Sequence, residues 1–183
     1  MSISRQNLSI VIVTFKSEMV IHNCIRSIEK DIKIIVVENS NNYQFKEELE
    51  STYANVSCVL TSKNLGMGSG NNIGIIKAKT DFVLILNPDV ILETSTINEL
   101  ILASQKIINF AILAPISSDT KYPNYRLLNN EKIKIEDSPS FKVKSVDGFA
   151  MLLNKKQLDK FMLKNYFDEN FFMYLENDDL CKR

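Results

Sequence analysis

The sequence predicts an α/β fold with a mostly parallel sheet, and two observations carry that expectation. From residue 8 to residue 116, β-branched apolar runs alternate with segments of helical spacing, the order that βαβ units produce. The clearest of these runs, Phe82-Val83-Leu84-Ile85-Leu86, is apolar at every position, as a strand buried on both faces must be.

The elements follow in order. Leu8 to Phe15 (LSIVIVTF) reads as the first buried strand. Ser17 to Lys30 places Val20, Ile21, Cys24, Ile25 and Ile28 at helical spacing, with Ser17 as N-cap. Lys33 to Val37 is a second strand, closed by the polar run from Glu38 to Asn42. Gln44 to Tyr53 reads as a weaker helix and Val56 to Leu60 as a third strand. A glycine-rich loop from Asn64 to Gly74 then runs into a helix ending near Lys79. After the strand at 82–86 come a helix over about 94–107 and a strand at about 111–116. Residues 117–142 break the rhythm with Pro123, Pro139 and the mixed charges of Asn129 to Asp137, and read as a long loop with a short hairpin. Val143 to Asn154 returns as a strand, Lys155 to Met162 as a short helix, and the acids at 176–179 stand at a helix start.

Composition narrows the class. A chain of 183 residues fits one domain, and its 45% hydrophobic content is ample for a core. Lys plus Arg equals Asp plus Glu at 22 each, so no overall field favours nucleic acid or an anionic membrane. Cys24, Cys58 and Cys181 lie far apart, without a CxxC and with His22 as the one histidine, which argues against a thiolate zinc site and for a reducing cytosol. No stretch is long and apolar enough for a signal peptide or a membrane span. The expectation is a cytoplasmic protein, with peripheral attachment at the inner face of a membrane left open.

Several residues could carry chemistry. Pro88 stops the strand before it, because it cannot donate a ladder hydrogen bond. That leaves Asp89 at the carboxyl end, either as a turn acid or as the ligand of a divalent cation that holds phosphate. Four of the five glycines lie between Gly66 and Gly74. Such a loop before a helix can bring backbone N–H groups to phosphate, or can simply allow close helix packing, as at Gly74. The dinucleotide fingerprint is incomplete, since Asn71 stands where its last glycine belongs, and no P-loop motif occurs. Glu38, at the end of the second strand, can accept hydrogen bonds from a base or ribose, or be a solvated loop acid. Glu176, Asp178 and Asp179 suit the helix macrodipole, with Asp179 and Arg183 an i,i+4 pair; one of these acids could otherwise serve as a general base. His22 lies between apolar neighbours and reads as structural. Phe167, Phe171, Phe172 and Tyr174 read most simply as core.

Taken in order, these segments resemble the family 2 glycosyltransferases of the GT-A fold, especially bacterial rhamnosyltransferase-like members. The resemblance runs through Val13-Thr14-Phe15, Val36-Val37-Glu38-Asn39-Ser40, Asn64-Leu65-Gly66 to Asn71-Asn72-Ile73-Gly74, Asn87-Pro88-Asp89 and Val146-Asp147-Gly148-Phe149-Ala150-Met151, and closes from Phe167-Asp168-Glu169 onward. It implies a Rossmann-like central sheet flanked by helices in one domain. Residues 1–116 would form the nucleotide-binding half and 117–183 the start of an acceptor-side half.

The resemblance also implies roles. Thr14, Glu38, Asn64, Gly66, Asn71 and Asn72 would surround the nucleotide; Asn87, Asp147 and Gly148 would meet the donor sugar; Asp89 would bind Mg²⁺ or Mn²⁺. The implied reaction is metal-dependent, inverting transfer from a UDP- or dTDP-sugar to a glycan or polyprenol-linked acceptor, in cell-surface polysaccharide, O-antigen or capsule synthesis. Three positions depart from the family pattern: Glu38 for Asp, Asn87 for the first DxD acid, and Asn177 where the family carries its base. An amide cannot accept that proton, so Asp178 or Glu176 would substitute, or the chain would be a weak transferase or a non-catalytic nucleotide-sugar-binding module. The family pattern further implies that the chain stops at Arg183 within a helix that relatives continue, as a C-terminally truncated chain would. A sugar-phosphate nucleotidyltransferase would need a basic, glycine-rich loop after the first strand, and Thr14-Phe15-Lys16-Ser17-Glu18 is not one.

Overall fold

The computed structural model describes residues 3–116, 121–128, 140–161 and 165–183. Its centre is a six-stranded sheet in which β1 (Leu8–Thr14), β2 (Lys33–Glu38), β3 (Val56–Leu60) and β4 (Phe82–Leu86) run parallel. β5 (Ile112–Leu113) and β8 (Ala150–Asn154) complete it, in the order β3-β2-β1-β4-β8-β5, with β8 antiparallel to both of its neighbours. A separate two-stranded ribbon pairs β6 (Tyr125–Arg126) with β7 (Ser145–Val146).

The doubly apolar runs are buried on both faces because helices cover each side. Ile10, Ile12, Val36 and Leu84 of the sheet pack with Ile21 and Cys24 of α1 (Glu18–Arg26), Phe45 and Leu49 of α2 (Tyr43–Thr52), and Ile97 of α4 (Thr96–Lys106). The alternate residues Val11, Val13, Val37 and Ile85 point to the other face, as a period of two requires. There they meet Ile75 of α3 (Gly66–Lys77), Leu158 of α5 (Lys155–Leu158), Phe167, and Leu180 of α6 (Glu176–Lys182).

Several expectations hold and several need correction. β3 and β4 fall on the residues expected, and β2 is one residue longer, so that Glu38 is its last member. α1 ends at Arg26, a turn before Lys30, although Ile28 is still buried. α2 starts at Tyr43, one residue before the expected Gln44, and Asn42 caps it: its Oδ1 accepts the Phe45 N–H at 3.0 Å. The glycine-rich stretch is not a loop but the body of α3. Glycine is a poor helix former, yet a Cβ at Gly74 would stand 2.2 Å from Val11 Cγ1, so contact with β1 overrides propensity.

The strand expected at 111–116 is two residues long, and that expected at 143–154 is split into β7 and β8 by a turn at 147–149. The helix expected to reach Met162 ends at Leu158. The strand pairing of this region joins Tyr125–Arg126 to Ser145–Val146, the latter beyond the 117–142 range in which a hairpin was expected, and the mixed-charge stretch from Asn129 to Asp137 lies outside the described residues. Of the aromatic cluster only Phe167 is core, 1% exposed; Phe172 and Tyr174 stand in solvent at 53% and 77%. Among the described residues no helix is long and apolar enough to cross a membrane.

Candidate active site

Parallel strands deliver their last residues to one edge, and the predicted site residues of the sheet gather there. Thr14 closes β1 directly opposite Glu38 on β2, and Leu86 closes β4 opposite Ala150 on β8. The Asn87 N–H donates to Phe149 O at 2.9 Å, which brings the Asn87-Pro88-Asp89 turn against the 147–149 turn. Asp147, exposed, is anchored by its own N–H on Asn124 O at 2.8 Å.

Glu38 is neither a solvated loop acid nor a free acceptor. It is fully buried, and its carboxylate accepts the Ser40 N–H and hydroxyl on Oε1 and the Asn42 N–H, at 2.6 Å, on Oε2. An acid with those acceptors occupied fixes the loop after β2. Asn39 and Thr61, which sequence reasoning did not single out as site residues, extend this network. Asn39 donates to Gly66 O at 3.1 Å, and the Thr61 hydroxyl lies 3.0 Å from Asn39 Oδ1. Their signal was position alone: each directly follows a strand.

The nucleotide-side asparagines divide. Asn64 accepts the Gly66 N–H at 3.0 Å and so starts α3, where Gly66 takes a φ of +82° and a Cβ would lie 2.1 Å from Phe172 O. Asn72, expected at the nucleotide, is engaged elsewhere: Nδ2 donates to Phe167 O at 2.8 Å and Oδ1 accepts Phe167 N–H at 2.9 Å. Asn71 is buried and its Oδ1 has no partner among the described residues; Thr14 Oγ1, Asn87 Oδ1 and Glu176 Oε2 are in the same position. An unsatisfied buried polar atom costs about 1–3 kcal/mol. Thr14 closes β1, Asn87 directly follows β4 and Glu176 opens α6, so three of these four groups stand at element ends.

Asp89 is exposed just beyond the edge. Beneath it Cys24 donates its thiol to Asn87 O at 3.5 Å, and burial, then the Asp89 charge, push that thiol up to about 12. Among the described residues no group of three His, Cys, Asp or Glu side chains comes together as a metal cage. A divalent cation commonly binds through one or two carboxylates plus substrate phosphates, and one carboxylate at a phosphate-accessible edge fits that mode.

The three candidates for proton transfer stand on the first turn of α6. Asn177 donates to Val146 O at 2.7 Å, and its Cβ lies 3.4 Å from where a Gly148 Cβ would be, so it locks α6 to the 146–148 turn. Asp178 pairs with Arg126 Nη1 at 2.5 Å and keeps 21% of its side chain exposed. Glu176 is 9% exposed, and its Oε2 is out of reach of solvent. Nothing in the sequence links Arg126 to an acid 52 positions away. Asp179 pairs with Arg183 as expected, at 2.8 Å. A cavity of about 420 Å³ lies between α4 and the β6–β7 ribbon; its lining includes Leu100, Ile107, Leu113, Phe141 and Val146.

Residues 9–173 match the family model described as Glycosyl transferase family 2. Among curated proteins the chain is 28% identical to the low-salt glycan biosynthesis hexosyltransferase Agl10 of Haloferax volcanii, covering 97% of this chain and 61% of that protein. It is 26% identical to the rhamnosyltransferase WbbL of Escherichia coli, covering 95% and 75%. Among solved structures it is similar to S. aureus TarS in complex with UDP, with a TM-score of 0.67 and 16% identity over 96% of this chain and 54% of that one. The mannosyltransferase PcManGT of Pyrobaculum calidifontis, in complex with GDP-Man and Mn²⁺, gives a TM-score of 0.70 at 12% identity, over 97% and 51%. These structural likenesses confirm the GT-A fold that the sequence resemblance implied. The chain thus spans well under two thirds of several proteins it resembles.

Proposed function

The chain belongs to glycosyl transferase family 2, and from that premise we propose that it transfers a sugar from a UDP- or dTDP-linked donor to a glycan or polyprenol-linked acceptor. One observation carries the reading: Thr14, Glu38, Asn87, Asp89, Asp147 and Gly148 come from four strand ends and turns, yet meet at a single sheet edge, with the acid turn of α6 locked onto it. The relatives named above support it. Two are described as a hexosyltransferase and a rhamnosyltransferase, and two solved neighbours hold UDP or GDP-Man.

The residues divide the work. The loop braced by Glu38, with Thr14, Asn64 and Asn71, receives the base and ribose, while Asn87, Asp147 and Gly148 border the sugar. Asp89 would hold Mg²⁺ or Mn²⁺ together with the donor diphosphate, and such a cation stabilises the charge that develops on the leaving group. Asp178 takes the proton of the acceptor hydroxyl: of the two acids that could replace the family base it is the more exposed, whereas Glu176 Oε2 is enclosed and Asn177 has no basic oxygen to offer. With the diphosphate leaving on one side and the base on the other, displacement inverts the anomeric carbon. Cell-surface polysaccharide synthesis is the process this chemistry suits.

Release of UDP or dTDP from a panel of donors, with Mn²⁺ and a crude lipid-linked glycan fraction, tests the proposal. Turnover with one donor is expected; no turnover with any donor sinks it. A second reading, a donor-binding module without transfer, is favoured by Asn177 standing where the family carries its base. Binding without turnover would select that one.

A further inference from the structure

Asn72 is buried, 3% exposed, among the residues under the second face of the sheet. Packing alone would be served there by an apolar side chain, since an amide in such a place costs free energy unless both its ends are bonded. Both are bonded, and to the backbone of a single residue 95 positions away: Nδ2 donates to Phe167 O and Oδ1 accepts Phe167 N–H. The same strand of backbone is fastened again five residues on, where Met67 N–H donates to Phe172 O at 3.0 Å.

Between those two points the chain lies directly on the glycines of α3. A Cβ at Gly68 would stand 3.3 Å from Phe167 Cβ, and one at Gly66 would strike the Phe172 carbonyl. Residues 167–172 therefore form a strap over the first turns of α3. Beyond it Tyr174 and Leu175 adopt consecutive left-handed conformations, with φ of 67° and 68°, and turn the chain into α6. The acid turn begins at Glu176, four residues past the strap. Its other moorings include Asn177 on Val146 O, Asp178 on Arg126, Leu180 in the core, and Arg183, past the helix end, on Tyr166 O.

We infer that Asn72 is a positioning residue for glycosyl transfer, holding the strap to α3 and thereby setting where the acids of α6 stand relative to the donor edge. The inference rests on the transfer reading above for its kinetic consequence. It also replaces the nucleotide contact that the sequence led one to expect of Asn72. α3 starts on the donor side, through Asn39 and Asn64, so one helix sets the geometry of both halves of the site.

Asn72→Asp tests this in the full chain, because it keeps the shape and the acceptor while removing the N–H given to Phe167 O. Misplacing a catalytic group by about an ångström costs on the order of 100-fold. A fall in kcat of about that size, with KM for the donor within about twofold of wild type, is the expected split. Amide hydrogen exchange should rise about tenfold across 167–182 while the strands β1 to β4 stay protected. Gly68→Ala presses more gently on the strap and should lower kcat by a smaller factor with the same split; it decides the matter if Asn72→Asp does not fold. Unchanged exchange across 167–182, or kcat and donor KM moving together, overturns the inference. Should the wild type neither bind donor nor transfer, the glycosyl-transfer reading fails, while the exchange comparison still judges whether Asn72 holds the acid turn.

Discussion

Glu38 and Glu176 are both buried carboxylates beside the same sheet edge, and they are built in opposite ways. Glu38, at the end of β2, has its charge met by two backbone N–H groups and a hydroxyl from the next four residues. Glu176, at the start of α6, keeps one oxygen without a partner among the described residues, and its helix is moored by contacts to Val146, Arg126, Tyr166 and, through the strap, Asn72. The loop after β2 is thus closed by local hydrogen bonds, while the acid turn is placed by residues tens of positions away. A locally closed network survives as a rigid platform; a region held by a handful of distant contacts opens at lower free energy. Under the transfer proposed above, that division would suit a preformed donor site facing an acceptor side that adjusts.

The comparison breaks first at Glu38. Glu38→Ala leaves two loop N–H groups unmet, and hydrogen bonds to a charged acceptor contribute about 1.5–3 kcal/mol each. A net loss of about 3 kcal/mol, or roughly 10 °C in Tm for a chain of this size, is expected from thermal melting. A change under about 1 kcal/mol would mean the loop does not depend on the acid.

Next comes Asp178→Asn, which should lower kcat about 100-fold with little change in melting temperature, as removal of a general base does. Equal turnover in that variant would move the base elsewhere on the turn.

Alkaline pH probes the same contrast more softly. Burial chiefly pushes the thiols of Cys24 and Cys58, both in or on the donor half, up from 9.0 to about 12. The folded state therefore keeps protons that the unfolded chain sheds above pH 9.0, so stability is complete below that value and falls as pH rises toward 12. By pH 10 the loss should be on the order of 1 kcal/mol per thiol. Denaturant midpoints at pH 7.5 and 10 measure it, and the double variant Cys24→Ala, Cys58→Ala should flatten the difference.

The smallest effect belongs to Arg126→Ala. Its guanidinium is largely exposed, so its pair with Asp178 is screened and its loss should change stability by no more than about 0.5 kcal/mol. A much larger loss in the same melt would show that the acid turn depends on the ribbon.

The half of the chain up to residue 116 was the more legible in sequence, for physical reasons. β1, β2, β3 and β4 are apolar runs with polar ends, and strands buried by helices on both faces leave that mark almost to the residue. The helical nature of Gly66–Lys77 was hidden because glycine propensity opposes what contact with Val11 and Val13 demands. Asp89 could be placed at the edge because the turn chemistry of Pro88 is local, whereas Asp147 and Gly148 were expected there only through the family resemblance, inside a segment read as a strand. Asn72 was misread, since its partner lies 95 residues off. The Arg126–Asp178 pair and the solvent exposure of Phe172 and Tyr174 likewise depend on tertiary contacts that no spacing encodes.

The most direct test of a donor site at this edge is the melting temperature of the full chain with UDP- and dTDP-sugars, with and without Mn²⁺. A ligand that binds only the folded state raises its apparent stability, by about 2.7 kcal/mol at one hundred times its Kd. The account predicts a rise that is larger with Mn²⁺, and an Asp89→Ala variant in which the Mn²⁺-dependent part is gone. A wild type that no nucleotide sugar stabilises, or an Asp89→Ala variant with the full Mn²⁺-dependent rise, would contradict it.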